Sequence, residues 1–191
     1  MPTNIDAMIK DKNGKLQPFD INGPSFIGWF EAEVGSFEGK QVVILGVGGV
    51  GEPIARMLSK RQPQEMFLVD VVSKQGLAEE LGCVYSASLE NVSDLSGEVV
   101  FINCAGKEGA SEAGAEDFLK KYKARGNVFV DLRPHLDILI VEEAKYLGWK
   151  AYTGFGMNAR NDYALLSKIC ELVGVNVLLF NDFKELVAGA S

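Results

Sequence analysis

The sequence predicts an α/β protein built on a doubly wound parallel sheet, with a short hairpin and helix ahead of it. Three observations predict it. The stretch "QVVILGVGGVGEPIARM" (41–57) is a continuous apolar strand running into a glycine-rich turn and then a helix. Beyond it, strand-like and helix-like stretches alternate, which parallel strands with right-handed crossovers require. Near the start, Asn13 and Gly14 stand between two short strand-like runs and signal a tight hairpin.

The elements follow in order. "AMIKDKNGKLQPFDI" predicts two strands around that turn, with Pro18 confining the second to an edge or a strand end. "GPSFIGWFEAEVG" predicts a helix whose face carries Phe26, Ile27, Trp29 and Phe30 and which stops at Gly35. "QVVIL" is a continuous apolar run of the kind found in parallel strands covered on both faces. Further strands are expected at "EMFLVD", "GCVY", "EVVFIN", "NVFVDL" and "KAYTG", and helices over 49–60, 74–81, 113–124, 139–147 and 158–173. The helix over 113–124 has Ser111 as its cap, acids in its first turn and lysines in its last. Asn158 is the expected cap of the last long helix. The tail "VNVLLFNDFKELVAGAS" reads as either an edge strand or a docking segment. Two parts are expected: 1–38 as hairpin and linking helix, and 39–191 as a dinucleotide-binding domain of the Rossmann type.

Composition narrows the function. The 191 residues carry a formal net charge of −7, with 47% hydrophobic and 24% charged residues. Nucleic-acid binding relies on basic neutralisation of phosphates, so that class is disfavoured. No apolar run is long enough for a bilayer, and no basic start precedes an apolar segment, so no membrane and a cytoplasmic location are expected. Cys83, Cys104 and Cys170 are scattered, and there is a single histidine, so neither a metal site nor a disulfide framework is expected.

The candidate chemistry lies in the turn. Gly46, Gly48 and Gly51 fit G-x-G-x-x-G, in a turn that also holds Val47, Gly49 and Val50. The glycines permit a tight turn, close approach of backbone to a pyrophosphate, and close packing of helix on strand. The helix beyond aims its amides and positive dipole end at phosphate, and Pro53 suits its first turn. Asp70 ends the next strand about 20 positions after the last glycine, the separation expected of an acid that binds ribose hydroxyls. Val71 and Val72 follow, with no arginine for a 2′-phosphate, so NAD is expected over NADP. A plain strand-end aspartate neutralised by Lys60 or Lys74 is the simpler alternative.

Several stretches together resemble the shikimate/quinate dehydrogenase family. "NIDAMIKDKNGKLQPFDINGPSF" is similar to the family's passage from an "N-T" segment through a hairpin to "N-T-D-G-x-G-F". "GKQVVILGVGGVGEPIA" resembles its "G-K-x-V-L-V-L-G-A-G-G-A-x-x-A-I-A", and "VFINCAGKEG" its "I-N-A-T-P-x-G-M". "VFVDLRPHLDILIVEEAKYLGWKAYTGFGMNARNDYALL" is similar to "D-x-x-Y-x-P…T-x-L-L-x-x-A-x-x-x-G…G-x-G-M-L-x-x-Q". The likeness runs from about Thr3 to about Val173. It implies cofactor contact at Asn103, Cys104 and Ala105 near a nicotinamide, and at Gly154, Gly156 and Met157. It also implies a substrate domain with a catalytic lysine ahead of the point where this chain begins, so that domain is expected to be absent. The aspartate that partners the lysine corresponds to Asn22, the family tyrosine to Pro134 and the late glutamine to Asn161.

Asp20 is two residues before Asn22, which on a strand is the same face, so it is the candidate substitute for the missing acid. His135, after a strand end, is a candidate general acid/base or a loop residue packed on Pro134. Arg133 and Arg160 can grip an anion or stand as ordinary surface arginines. Cys104 in apolar "FINCA" is expected to be inert. Two functions are expected: an NAD(P)-dependent oxidoreductase acting on CH–OH, or a non-catalytic nucleotide-binding or partner-interaction module derived from one. The apolar residues Phe19, Phe26, Trp29 and Phe30 need cover, so a homodimer or a separate substrate-domain subunit is expected.

Overall fold

The computed structural model describes residues 5–93, 95–106, 109–110, 113–123, 126–133 and 138–189. The chain begins with an antiparallel hairpin, β1 (Ala7–Lys10) and β2 (Leu16–Phe19). Asp11 holds its turn, accepting the Asn13 and Lys15 N–H groups at 2.9 Å each, and Gly14 takes φ 82°. Helix α1 (Asn22–Glu33) follows. It is capped from the hairpin: Asp6 Oδ2 accepts the N–H groups of both Ile21 and Asn22 at 2.8 Å.

The rest of the chain is the expected sheet. The strands are β3 (Gln41–Leu45), β4 (Glu65–Val69), β5 (Val84–Ser86), β6 (Val99–Asn103), β7 (Val128–Asp131) and β8 (Lys150–Thr153). All pair parallel, in the order β5-β4-β3-β6-β7-β8. The chain winds outward from β3 to β5, returns to β6 beside β3, and winds the other way. The crevice at that reversal, outside the carboxyl ends of β3 and β6, is where doubly wound sheets take ligands. The helices between strands are α2 (Gly51–Leu58), α3 (Gln75–Leu81), α4 (Ala115–Lys121) and α5 (Leu139–Tyr146). After β8 come α6 (Phe155–Val173) and α7 (Phe180–Gly189).

Strand side chains alternate between two cores, one on each face. Val42, Ile44, Met66, Leu68, Val100 and Ile102 point to one face, and Val43, Leu45, Phe67, Val69 and Phe101 to the other. This is why β3 is apolar from Val42 to Leu45 and β6 from Val99 to Ile102: neither face meets water, and the polar residues, Gln41 and Asn103, stand at strand ends.

Several expectations need correction. Phe26, Trp29 and Phe30 do not await a partner. They are buried within the chain, in one core with Val42, Ile44 and Met157, so α1 packs as a layer of the sheet domain. The last long helix starts at Phe155, and Asn158 sits inside its first turn, donating its N–H to the Gly154 carbonyl at 2.9 Å. Glycine can occupy the cap position without a side-chain oxygen, so the helix begins earlier than Asn158. The tail is a helix, α7, docked by Tyr163, which packs edge-on against Phe180 and tilted against Phe183 and donates its hydroxyl to the Leu178 carbonyl at 2.8 Å. Ser111, as a cap, lies outside the described residues. No helix among the described residues is long and apolar enough to cross a membrane.

Candidate functional site

The turn after β3 is built so that only glycine fits its two ends. Gly46 has φ 82°, and a Cβ there would stand 2.7 Å from the Ala105 nitrogen. A Cβ on Gly51 would collide with the Gly46 carbonyl oxygen. These two bring α2 down onto the strand ends. Gly48 and Gly49 differ: a Cβ on either would meet nothing within 4 Å. Their glycine character leaves open space above the turn, which suits close approach of a ligand to backbone. No side chain caps α2, and orphan amides at such a helix start favour an anion.

Asp70 follows β4 and leans into this turn. Its Oδ2 accepts the Val47 N–H at 2.7 Å, and its Oδ1 accepts the Val72 N–H at 2.9 Å. An ionised carboxylate offers about four acceptor directions, so hydroxyls can still be accepted beside the two backbone bonds. Neither Lys60 nor Lys74 forms an ion pair with Asp70 among the described contacts. Val71 and Val72 are exposed beyond it.

A pocket of about 250 Å³ opens at the carboxyl ends of β6 and β7. Asn22 at the start of α1, Val50, Asn103, Cys104, Ala105, Arg133, Met157, Asn158 and Asn161 contribute to its walls. Behind it lies Asp131, fully buried at the end of β7. Its Oδ2 accepts Asn103 Nδ2 at 2.8 Å and Arg133 Nη2 at 2.7 Å. Its Oδ1 accepts the Arg133 backbone N–H at 3.0 Å and Nε at 2.8 Å. Asn103 Oδ1 in turn accepts the Ala105 N–H at 3.1 Å, so one buried acid shapes both the β6 and β7 loops. The bond to Asp131 raises the Arg133 pKa above its ordinary value. Burial, aided by the Asp131 charge, pushes the Cys104 thiol far up, which keeps it protonated and poorly nucleophilic.

The expected site residues divide. The turn residues Gly46–Gly51 and Asp70 come together, and Asn103, Cys104, Ala105 and Met157 line the adjoining pocket. Gly154 and Gly156 line no wall of it. A Cβ on Gly154 would overlap the Leu132 carbonyl, and one on Gly156 the Trp29 indole, so packing within the chain explains both glycines. Asp20 is not in the pocket. It follows the end of β2, where the strand's two-residue repeat has stopped, and it faces a separate cleft with Arg56, Lys60 and Glu80. Asn22, which begins the helix, faces the pocket and accepts Asn161 Nδ2 at 3.0 Å. His135 and Pro134 lie outside the described residues. Sequence reasoning did not find the Asn22–Asn161 bond or the role of Asp131; a buried-strand acid in "VFVDLR" is the one local signal for the latter. Among the described residues no cluster suited to a metal ion occurs.

No family model and no curated protein matches the sequence. Solved structures do. Shikimate dehydrogenase from Aquifex aeolicus matches with a TM-score of 0.75 at 20% identity, over 96% of this chain and 66% of that one. The fold is that of the shikimate and quinate dehydrogenases. Quinate dehydrogenase from Corynebacterium glutamicum, solved with NAD, matches with a TM-score of 0.74 at 16% identity, over 97% and 67% of the two chains. Shikimate 5-dehydrogenase from Thermus thermophilus, solved with NADP(H) and shikimate, matches with a TM-score of 0.71 at 24% identity, over 98% and 68%. The chain thus spans about two thirds of the length of these proteins.

Proposed function

We propose that the chain binds a nicotinamide dinucleotide in the crevice at the reversal of strand order, and that it is the cofactor-bearing part of an oxidoreductase acting on CH–OH in the manner of shikimate dehydrogenase. The observation that carries this is the turn itself: Gly46 and Gly51 are sterically obligatory, while Gly48 and Gly49 leave open space beside Asp70. A bound nicotinamide supplies hydride transfer; the residues of this chain bind and orient. The backbone at Gly48 and Gly49 approaches the pyrophosphate, and Asp70 accepts ribose hydroxyls with Val71 alongside. A 2′-phosphate would meet the Asp70 carboxylate and no arginine at 71 or 72, so NAD is preferred over NADP. Asn103, Cys104, Ala105 and Met157 form the nicotinamide end, with Gly154 and Gly156 holding its wall in place.

The described pocket lining contains no lysine, aspartate or glutamate. In this reading the proton-transferring group comes from a substrate-binding segment outside the described residues, whether on this polypeptide, a second copy or a separate chain. Exposed Met8 and Leu16 on the hairpin and Leu179 and Leu186 near α7 offer apolar surface for it. A second reading, a non-catalytic nucleotide-binding module, is supported by Asn22, a carboxamide at the position that corresponds to the resembling family's acid and held there by Asn161.

Calorimetric titration with NAD+, NADH and NADP+ tests the proposal, repeated on Asp70→Ala. The expected result is NAD(H) binding that weakens about tenfold or more in the variant, from loss of charge-assisted hydrogen bonds. No dinucleotide binding refutes it. Binding without oxidation of shikimate or quinate, even with a copurifying partner present, selects the second reading.

A further inference from the structure

The pocket beside the dinucleotide crevice has one permanently charged group among its described lining residues, Arg133. Its placement is specific. Asp131 engages one edge of the guanidinium, through Nε to Oδ1 at 2.8 Å and Nη2 to Oδ2 at 2.7 Å. Asp131 is itself fully buried, and its oxygens are occupied by these bonds, by the Arg133 N–H and by Asn103 Nδ2. The acid therefore presents nothing to the pocket. It fixes the plane of the guanidinium and leaves the outer edge, Nη1 with the second hydrogen of Nη2, without a partner among the described residues. That edge retains the paired parallel donors that match a planar oxyanion. The buried charge lies behind the donors, so the pair forms a dipole whose positive end faces the ligand.

We propose that Arg133 is a specificity-determining residue whose outer edge binds a carboxylate on the pocket's ligand, with Asp131 as its positioning residue. This rests on the proposed reading of the crevice as the substrate end of a dinucleotide site, and the test separates the two. The neighbouring walls agree with such a ligand: Asn22, Asn158 and Asn161 add uncharged donors and acceptors, and no described acid lines the pocket to repel an anion.

The probes are cyclohexanecarboxylate and its neutral isostere cyclohexanecarboxamide, titrated into the full chain with and without NADH, while NADH binding is measured separately. Wild type is expected to favour the acid about tenfold or more, the scale of a hydrogen bond to a charged group. Arg133→Met is expected to abolish that preference. Arg133→Lys keeps the charge without the planar fork and is expected to lose most of the preference, which covers the case that the methionine variant fails to fold. Equal binding of acid and amide by wild type overturns the inference, whether or not NADH binds. So does a lysine or methionine variant that keeps the full preference. Absence of NADH binding with the acid preference intact instead overturns the dinucleotide reading alone.

Discussion

Replacing Gly46 with alanine tests whether the turn is held by sterics or merely tolerates glycine. At φ 82° a residue with a Cβ is in the left-handed region, which costs about 1–2 kcal/mol. The new Cβ would stand 2.7 Å from the Ala105 nitrogen and 3.0 Å from both Ala105 Cα and the Cys104 carbonyl carbon. All three are backbone atoms of the strand β6 exit, so no side chain can swing aside, and overpacking of this kind adds about 1–3 kcal/mol. The sum is about 2–5 kcal/mol, equivalent for a domain of this size to a fall in Tm of roughly 4–20 °C. Gly48→Ala is the control. Its Cβ meets nothing within 4 Å, so its Tm should stay within about 2 °C of wild type, while NADH affinity falls because the methyl occupies the space left for pyrophosphate. Differential scanning calorimetry and NADH titration on both variants read the two effects apart. A Gly46→Ala protein as stable as wild type would refute the steric argument. A Gly48→Ala protein that binds NADH normally would show that the open space is not where the ligand lies.

Asp131→Asn removes the charge that pairs with Arg133 and puts an amide NH2 where an acceptor is needed, so urea unfolding should show a loss of about 1–3 kcal/mol; a change below about 0.5 kcal/mol would mean that the network contributes nothing to stability. Burial, then the neighbouring charge of Asp6, raises the Asp20 pKa. The stability associated with protonated Asp20 is fully present below its unfolded value and is lost as pH rises through the folded one. Asp20→Asn should therefore be the more stable protein at neutral pH, with an advantage that shrinks on acidification toward the ordinary aspartate value of 3.8; an advantage that does not change with pH would contradict this. Burial also pushes the Cys83 thiol up to about 11 and Cys104 further. Iodoacetamide at mildly alkaline pH should label both slowly in the folded protein and promptly in urea, as mass spectrometry of digested protein will show, and fast labelling of folded Cys104 would place it outside its described packing.

What the sequence by itself determined is local and periodic. "QVVIL" and "VVFIN" read as buried parallel strands because both of their faces are covered, so their side chains had to be apolar except at the end positions Gln41 and Asn103. The glycine turn and Asp70 were legible because a close backbone approach and a strand-end acid each demand a residue type at a set spacing. The tertiary structure decided everything that depends on where one element meets another. Asp20 and Asn22 are two residues apart, yet the end of β2 and the start of α1 send one to a separate cleft and the other to the pocket. Trp29 explains Gly156, Leu132 explains Gly154, and Asn22 meets Asn161 across 139 positions. Asp131 became the organiser of the pocket only once β6 lay beside β7 and brought Asn103 to it. The physical reason is range: backbone conformation and burial are imposed on each residue by its immediate chain, whereas a buried polar group finds its partner only after crossovers and strand order have set which surfaces touch.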